Sequence, residues 1–233
     1  MYIVLLGPPG SGKGTQAARI AAYCRIPAVS TGAIFRDALA RGTALGQAVS
    51  AVRMDRGEYV PDDVVLAAVD ERLALPDCAN GCIFDGFPRT VEQAHGLDAV
   101  LVARHASLDM VLELIVPEAV LIDRFTGRRV CPRDASTYHV RYQPPKVDGR
   151  CDLCGSPLII RADDAEDVVE RRLALYHEAT MPLAKNYRNR VQYRAIEADR
   201  SADAIFEAVK VALGACMPQT AAAPPSQACS AGQ

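Results

Sequence analysis

Tyr2-Ile3-Val4-Leu5-Leu6-Gly7-Pro8-Pro9-Gly10-Ser11-Gly12-Lys13-Gly14-Thr15 is the stretch from which the rest of this chain is read. An apolar, β-branched run ends in a glycine-rich turn, and a helix-favouring stretch follows from Thr15 to Tyr23. Strand, loop, helix in that order is the setting of a phosphate-binding P-loop. The glycines let backbone N–H groups converge on phosphate oxygens, and the helix N-terminus adds partial positive charge. Lys13 then reaches the outer phosphates as a point charge. Gly14 departs from the general pattern, which places there a Ser or Thr that ligates Mg²⁺. A glycine-rich turn of no consequence is the competing reading of the loop alone; the strand and helix that flank it argue against that.

The chain has 233 residues, 50% of them apolar, enough to bury a full core as one domain with insertions. A net charge of −2 gives no field for bulk binding to nucleic acid or an anionic membrane. Of the 26 basic residues 22 are Arg, whose planar fork suits phosphate. A codon bias that also raises Ala explains most of them equally well. No apolar segment reaches the length of a membrane span, and the N-terminus opens on a core strand instead of a signal peptide. The expectation is a cytoplasmic protein, where eight Cys point to metal ligands or free thiols.

Short apolar runs at 2–6, 26–29, 82–84, 110–116 and 193–196 read as strands. Helical patterns lie between and after them, at 12–23, 61–75, 91–105, 117–126, 165–189 and 202–213. Alternation of this kind predicts an α/β fold: a doubly wound, parallel, five-stranded sheet with ligands at the strand C-terminal ends. Two stretches break the rhythm. Residues 31–60 form a helical insertion, and residues 127–164 lose helical period and hold three Cys. The Ala/Pro/Ser/Gln-rich segment 214–233 is expected to be a disordered tail.

Cys131-Pro132-Arg133-Asp134 and Cys151-Asp152-Leu153-Cys154, the latter followed by Gly155, have the spacing of two zinc knuckles. Each turn presents two ligands from one bend, and two turns close a tetrahedron around Zn²⁺. Asp134 stands where a fourth Cys would give a tighter site, and a carboxylate oxygen is an acceptable ligand. Three unliganded thiols in a surface loop is the alternative. No open coordination position lies beside a base, so the metal would be structural. Cys24, Cys78, Cys82, Cys216 and Cys229 have no partners at metal-binding spacing and read as inert.

An acidic residue ending a strand beside the P-loop strand is placed to hold a nucleotide-bound Mg²⁺ through water. Asp85, in Asp85-Gly86-Phe87-Pro88-Arg89-Thr90, is in that position. Arg36 follows Ser30-Thr31-Gly32, Arg128-Arg129 open the cysteine module, Arg161-Ala162-Asp163-Asp164 close it, and Arg172 lies on the next helix. Together with Asp123-Arg124 and Tyr138-His139, these motifs resemble adenylate kinase, more narrowly the long-lid bacterial form with a zinc-bearing lid. The resemblance covers residues 1 to about 213.

The resemblance implies reversible phosphoryl transfer from MgATP to AMP, with ADP as product. It also implies three domains: a core of residues 1–29, 61–126 and 165–213, an AMP-binding domain of 30–60 and a lid of 127–164. Gly10, Ser11, Gly12, Lys13, Gly14 and Thr15 would hold ATP phosphates. Arg128, Thr137 and Tyr138 would cover ATP, with backbone near Arg200 touching its adenine. Thr31, Arg36, Glu58, Tyr59, Val60, Gly86, Phe87, Pro88, Arg89 and Gln93 would hold AMP, Gln93 reading its adenine through an amide pair. Arg161 and Arg172, with Arg124 in the same ring, would stabilise the transferred group. Cofactors would be Mg²⁺ with ATP and structural Zn²⁺ in the lid. A monomer with no nucleic-acid or membrane partner is implied.

Ala33 and Phe35 depart from the acidic residue and Leu common in the family, and could tune the AMP domain. A monophosphate kinase with a pyrimidine acceptor or GTP donor is the near alternative; Thr31, Gln93 and the long lid argue for AMP. A zinc-ribbon nucleic-acid module on a P-loop scaffold is the distant one, and the slightly acidic, Trp-free composition argues against it. Such transfer needs positioning and charge neutralisation more than a base, because the AMP phosphate is already a nucleophilic anion. His139 is therefore expected to pack the lid.

Overall fold

The computed structural model describes residues 1–50, 58–161, 164 and 166–214. In chain order the elements are β1 (Tyr2–Leu6), α1 (Lys13–Cys24), β2 (Ala28–Ser30), α2 (Thr31–Arg41), α3 (Ala44–Ser50), α4 (Asp62–Leu73), β3 (Cys82–Asp85) and α5 (Val91–Ala103). They continue with β4 (Met110–Ile115), α6 (Glu118–Gly127), β5 (Arg128–Val130), β6 (Thr137–His139) and α7 (Glu166–Leu175). The last are α8 (Met181–Arg188), β7 (Gln192–Glu197) and α9 (Ala202–Gly214). Positions 51–57 of the expected insertion, 162–163 of the lid, 165 of the core and 215–233 of the tail, with Asp163, Cys216 and Cys229 among them, lie outside the described residues.

A strand that is apolar at every position must be covered on both faces, which places it mid-sheet. β1 is central in the order β2-β3-β1-β4-β7, every pairing parallel, with Val4 beside Phe84 on one side and Val111 on the other. Alternate side chains feed two cores. Val4, Leu6, Phe84 and Val111 pack with Val65 and Val69 of α4, Leu97 and Leu101 of α5, and Leu183 and Tyr187 of α8. Ile3, Leu5, Ile83 and Leu112 pack with Ile20 of α1, Leu121 and Phe125 of α6, Leu173 of α7 and Val209 of α9. All five strands therefore point their C-terminal ends at one edge, where the loops carrying the chemistry gather.

The five-stranded parallel sheet agrees with the sequence expectation, with local differences. The second strand starts at Ala28, although the Pro27 carbonyl already accepts the Ile83 N–H at 2.9 Å. The helix expected over 165–189 is α7, a π-turn (Tyr176–Thr180) and α8. Pro182 has no N–H to return to the preceding turn, so the ladder restarts there. The 31–60 insertion contains α2 and α3, divided at Gly42, whose left-handed φ of 63° ends α2. No helix among the described residues is long and apolar enough to cross a membrane.

Candidate active site

The P-loop leaves β1 and enters α1 without a side-chain cap, so no side chain takes the N–H groups of the helix N-terminus. Gly10 has to be glycine twice over. Its φ is 78°, and a β-carbon there would lie 2.9 Å from the Phe125 ring. The Lys13 Nζ donates to the carbonyls of Gly7 at 2.7 Å and Pro8 at 2.9 Å. Burial pushes the Lys13 ammonium down to about 7; Asp85 opposes that, and Arg89, Arg172 and Arg128 add to it. Ser11 is fully buried and its N–H donates to Pro8, so it shapes the loop from within. A side chain at position 14 would sit 3.6 Å from the Asp85 carboxylate; Gly14 leaves that space open.

Around the loop lies a cleft of about 880 Å³. Gly10 to Thr15, Arg36, Tyr59, Asp85, Gly86, Pro88, Arg89, Arg124, Arg128, Thr137, Tyr138, Arg161, Arg172 and Arg200 all line it. Residues read from separate stretches of sequence thus converge on one site. Their arginines are held by contacts that the sequence did not announce. The Arg128 and Arg172 guanidiniums lie 5.2 and 5.6 Å from the Phe125 ring centre. From the other side, the fully buried Asp164 carboxylate takes a bidentate pair of hydrogen bonds from Arg128 and stands 3.7 Å from Arg172. Arg124, expected in the same ring, lines the cleft with them. It donates to the carbonyls of Ser11, Ala198 and Arg200, bracing the P-loop against the segment after β7.

A narrower pocket adjoins the cleft, lined by Thr31, Phe35, Glu58, Tyr59, Val60, Gly86, Arg89 and Gln93. Thr31 donates to the Gly86 carbonyl at 3.2 Å and the Arg89 Nε to the same oxygen at 2.8 Å, tying α2 to the turn after β3. Phe87 points away from both pockets into the core, its ring 5.7 Å from that of Phe84. Two residues missing from the sequence reading hold this wall. Thr180, at the end of the π-turn, donates to the Arg89 carbonyl at 2.9 Å. Asp62 accepts from Thr90 and Gln93. Neither carries a sequence signal beyond an ordinary helix position, because each acts through a partner distant in the chain.

The β5–β6 module contains two superimposable turns. The Cys131 carbonyl accepts the Ala135 N–H and the Cys131 N–H donates to Ser136; Cys151, Gly155 and Ser156 repeat the pattern, all between 2.9 and 3.0 Å. Ala135 adopts the left-handed φ of 62° that Gly155 adopts at 69°. Asp134 therefore occupies the place of Cys154. The ligand atoms of Cys131, Asp134, Cys151 and Cys154 lie within 4.8 Å of one another. A tetrahedral Zn²⁺ at about 2.3 Å from sulfur needs ligand separations of about 3.8 Å, so the donor set fits. Tyr138 accepts the Asp152 N–H at 2.8 Å and its hydroxyl meets the Cys151 sulfur, so it packs with Cys131 and Cys151 and also lines the cleft. His139 Nδ1 accepts from the N–H groups of Arg141 and Tyr142, and its ring centre lies 4.5 Å from that of Tyr142, the planes tilted by 34°. That is a packing role, as the sequence suggested.

The adenylate kinase family model matches residues 5–192. The adenylate kinase of Moorella thermoacetica is 50% identical over 214 residues, covering 92% of this chain and 98% of that protein. That of Symbiobacterium thermophilum is 47% identical, covering 92% and 99%. The enzyme from Clostridium acetobutylicum is 45% identical with the same coverage.

Proposed function

We propose residue roles on one premise: the chain belongs to the adenylate kinase family and catalyses reversible phosphoryl transfer from MgATP to AMP, giving two ADP. The observation that supports them is the convergence of Lys13, Arg36, Arg89, Arg128, Arg161 and Arg172 on one cleft. Gly10 to Thr15 cradle the ATP phosphates, and Lys13 bridges to the group in flight. Arg36 and Arg89 clamp the AMP phosphate. Arg128, Arg161 and Arg172 spread positive charge over the equatorial oxygens, where charge is shared in the transition state. Arg124 joins that ring and also braces the P-loop through its bond to the Ser11 carbonyl.

Mg²⁺ bound with ATP neutralises phosphate charge; Asp85, facing the open space before Gly14, would hold its water shell. No general base is assigned, since the attacking phosphate oxygen is already anionic. Water would compete as acceptor, and Thr137 with the rest of residues 127–164 closes over ATP to exclude it. Residues 30–60 bind AMP, with Gln93 reading adenine in the narrow pocket. The backbone near Arg200 meets the ATP adenine. Residues 1–29, 61–126 and 165–213 form the frame, and the enzyme works as a cytoplasmic monomer with no nucleic-acid or membrane partner.

Turnover with AMP, CMP, UMP and GMP as acceptors and ATP or GTP as donor tests the assignment, AMP with ATP being the expected pair. Lys13→Ala and Arg89→Ala should each lower kcat by about 10³-fold or more with the melting transition kept. Near-normal turnover in either would overturn the roles.

A further inference from the structure

We propose that Asp62 sets the choice of acceptor base by locking the Gln93 amide in one of its two orientations; the inference rests on Gln93 being the residue that reads adenine. A primary amide carries two acceptor lone pairs and two N–H donors, and a half-turn exchanges them. In Gln93 half of each is already used inside the protein. Oε1 accepts the Arg89 backbone N–H at 2.8 Å, and Nε2 donates to Asp62 Oδ1 at 2.7 Å. Asp62 is itself fixed, because Oδ2 accepts the Thr90 hydroxyl at 3.1 Å. That hydroxyl in turn caps α5 by accepting the Gln93 N–H at 3.1 Å.

Turning the amide over would set Oε1 against a carboxylate and Nε2 against an N–H. Two hydrogen bonds would be lost and two like-with-like contacts made. Gln93 is only 2% exposed, so water cannot restore the partners. The orientation is therefore held from both sides, and a carboxylate at position 62 is what makes one side unconditional. Asp accepts only, whereas Asn would serve either orientation.

What the locked amide has left is one lone pair beside one N–H. Adenine offers the complement, an N6 amino donor beside the N1 acceptor. Hypoxanthine and guanine offer the reverse, an O6 acceptor beside an N1–H donor. A freely turning amide would satisfy both kinds of base; a locked one satisfies adenine alone. Asp62 thus acts as a positioning residue for specificity, through Gln93 and without touching the nucleotide.

The test is Asp62→Asn assayed with AMP and with inosine monophosphate, which differs from AMP only at N1 and position 6. Asp62→Asn releases one of the two constraints and leaves the Arg89 N–H as the other, so the ratio of kcat/KM for AMP over inosine monophosphate should fall about three- to tenfold, mainly through a lower KM for the inosine nucleotide. A purely structural role would lower both values together and leave the ratio where it was, and that result overturns the proposal. Both substrates are measured on one folded sample, so partial unfolding cannot mimic the effect. Gln93→Ala separates the two ways of failing. If Gln93 does not read the base, this variant also keeps the ratio. If only the Asp62 lock is wrong, Gln93→Ala collapses the ratio and Asp62→Asn does not.

Discussion

The helical insertion and the cysteine module flank the same cleft, yet they are held by different means. Phe35, Ala38, Val49 and Val60 belong to one continuous apolar cluster with Val4, Leu6 and Phe84 of the sheet. Cys131, Tyr138 and Cys151 form a separate cluster, with only Cys154 and Leu158 packed against it. Around it Leu153 is 79% exposed and Val147 60%. The insertion shares the core of the frame. The module has almost none of its own, and a unit of that size needs a metal or another staple to hold its shape.

The largest break in this comparison should come from removing zinc. Cys151→Ser, or chelation, should expose residues 127–161 to protease and lower kcat roughly tenfold or more, with the main melting transition in place. Less than about a tenth of an equivalent of zinc in the purified protein would reject the structural site. Phe35→Ala should do the opposite. Cutting into the shared core, it should lower global stability by about 3–5 kcal/mol in denaturant titration. Equal global losses in both variants would erase the distinction drawn between the two regions.

The frame between them supplies the one lysine of the cleft, and its titration is the next largest effect. In the free protein the Lys13 ammonium is lost as pH rises through about 7, because burial and the neighbouring arginines disfavour the charge. Bound phosphates favour the charge and raise that value. Between the two, binding ATP takes up a proton, and ATP affinity should weaken by up to about tenfold per pH unit above 7. Calorimetry at pH 8 in buffers of different ionisation enthalpy measures the uptake directly. It should approach one proton in the parent and vanish in Lys13→Met; no uptake in the parent would place the free ammonium's titration well above 8.

Much of this was legible in the chain because it is local. The β1 run, the loop glycines, Lys13 and the paired cysteine turns each declare themselves within about ten residues. The boundary at Ala28 and the π-turn before Pro182 were not, since both depend on which neighbour accepts or withholds a hydrogen bond. Supporting residues were the least visible. Asp164 holds Arg128 across 36 positions, Asp62 holds Gln93 across 31, and Thr180 holds Arg89 across 91. An acidic residue near a helix start reads as a partner for the helix dipole in any sequence. Only the fold gives it an arginine or an amide to orient. Phe87 and Arg124 show the converse: motif membership located them, and packing decided what their side chains do.

Phe125 lies on the seam where the module joins the frame, and it tests whether that seam is tuned or merely filled. Its ring is 2% exposed, lies against Gly10, and carries the guanidiniums of Arg128 and Arg172 on its face. Arg128 begins the module and Arg172 stands on α7, so one ring sets both against the P-loop. Phe125→Leu keeps apolar bulk and removes the π face. Each cation–π contact is worth about 0.5–2 kcal/mol, depending on how fully it is desolvated. If part of that difference is felt in the transition state, kcat should fall about three- to tenfold. KM for AMP should change little, because Arg36 stands on α2 and Arg89 in the turn after β3, apart from α6 that carries this ring. A variant that melts earlier but turns over at the parent rate would make Phe125 packing alone, and would leave Asp164 as the residue that aims the two arginines.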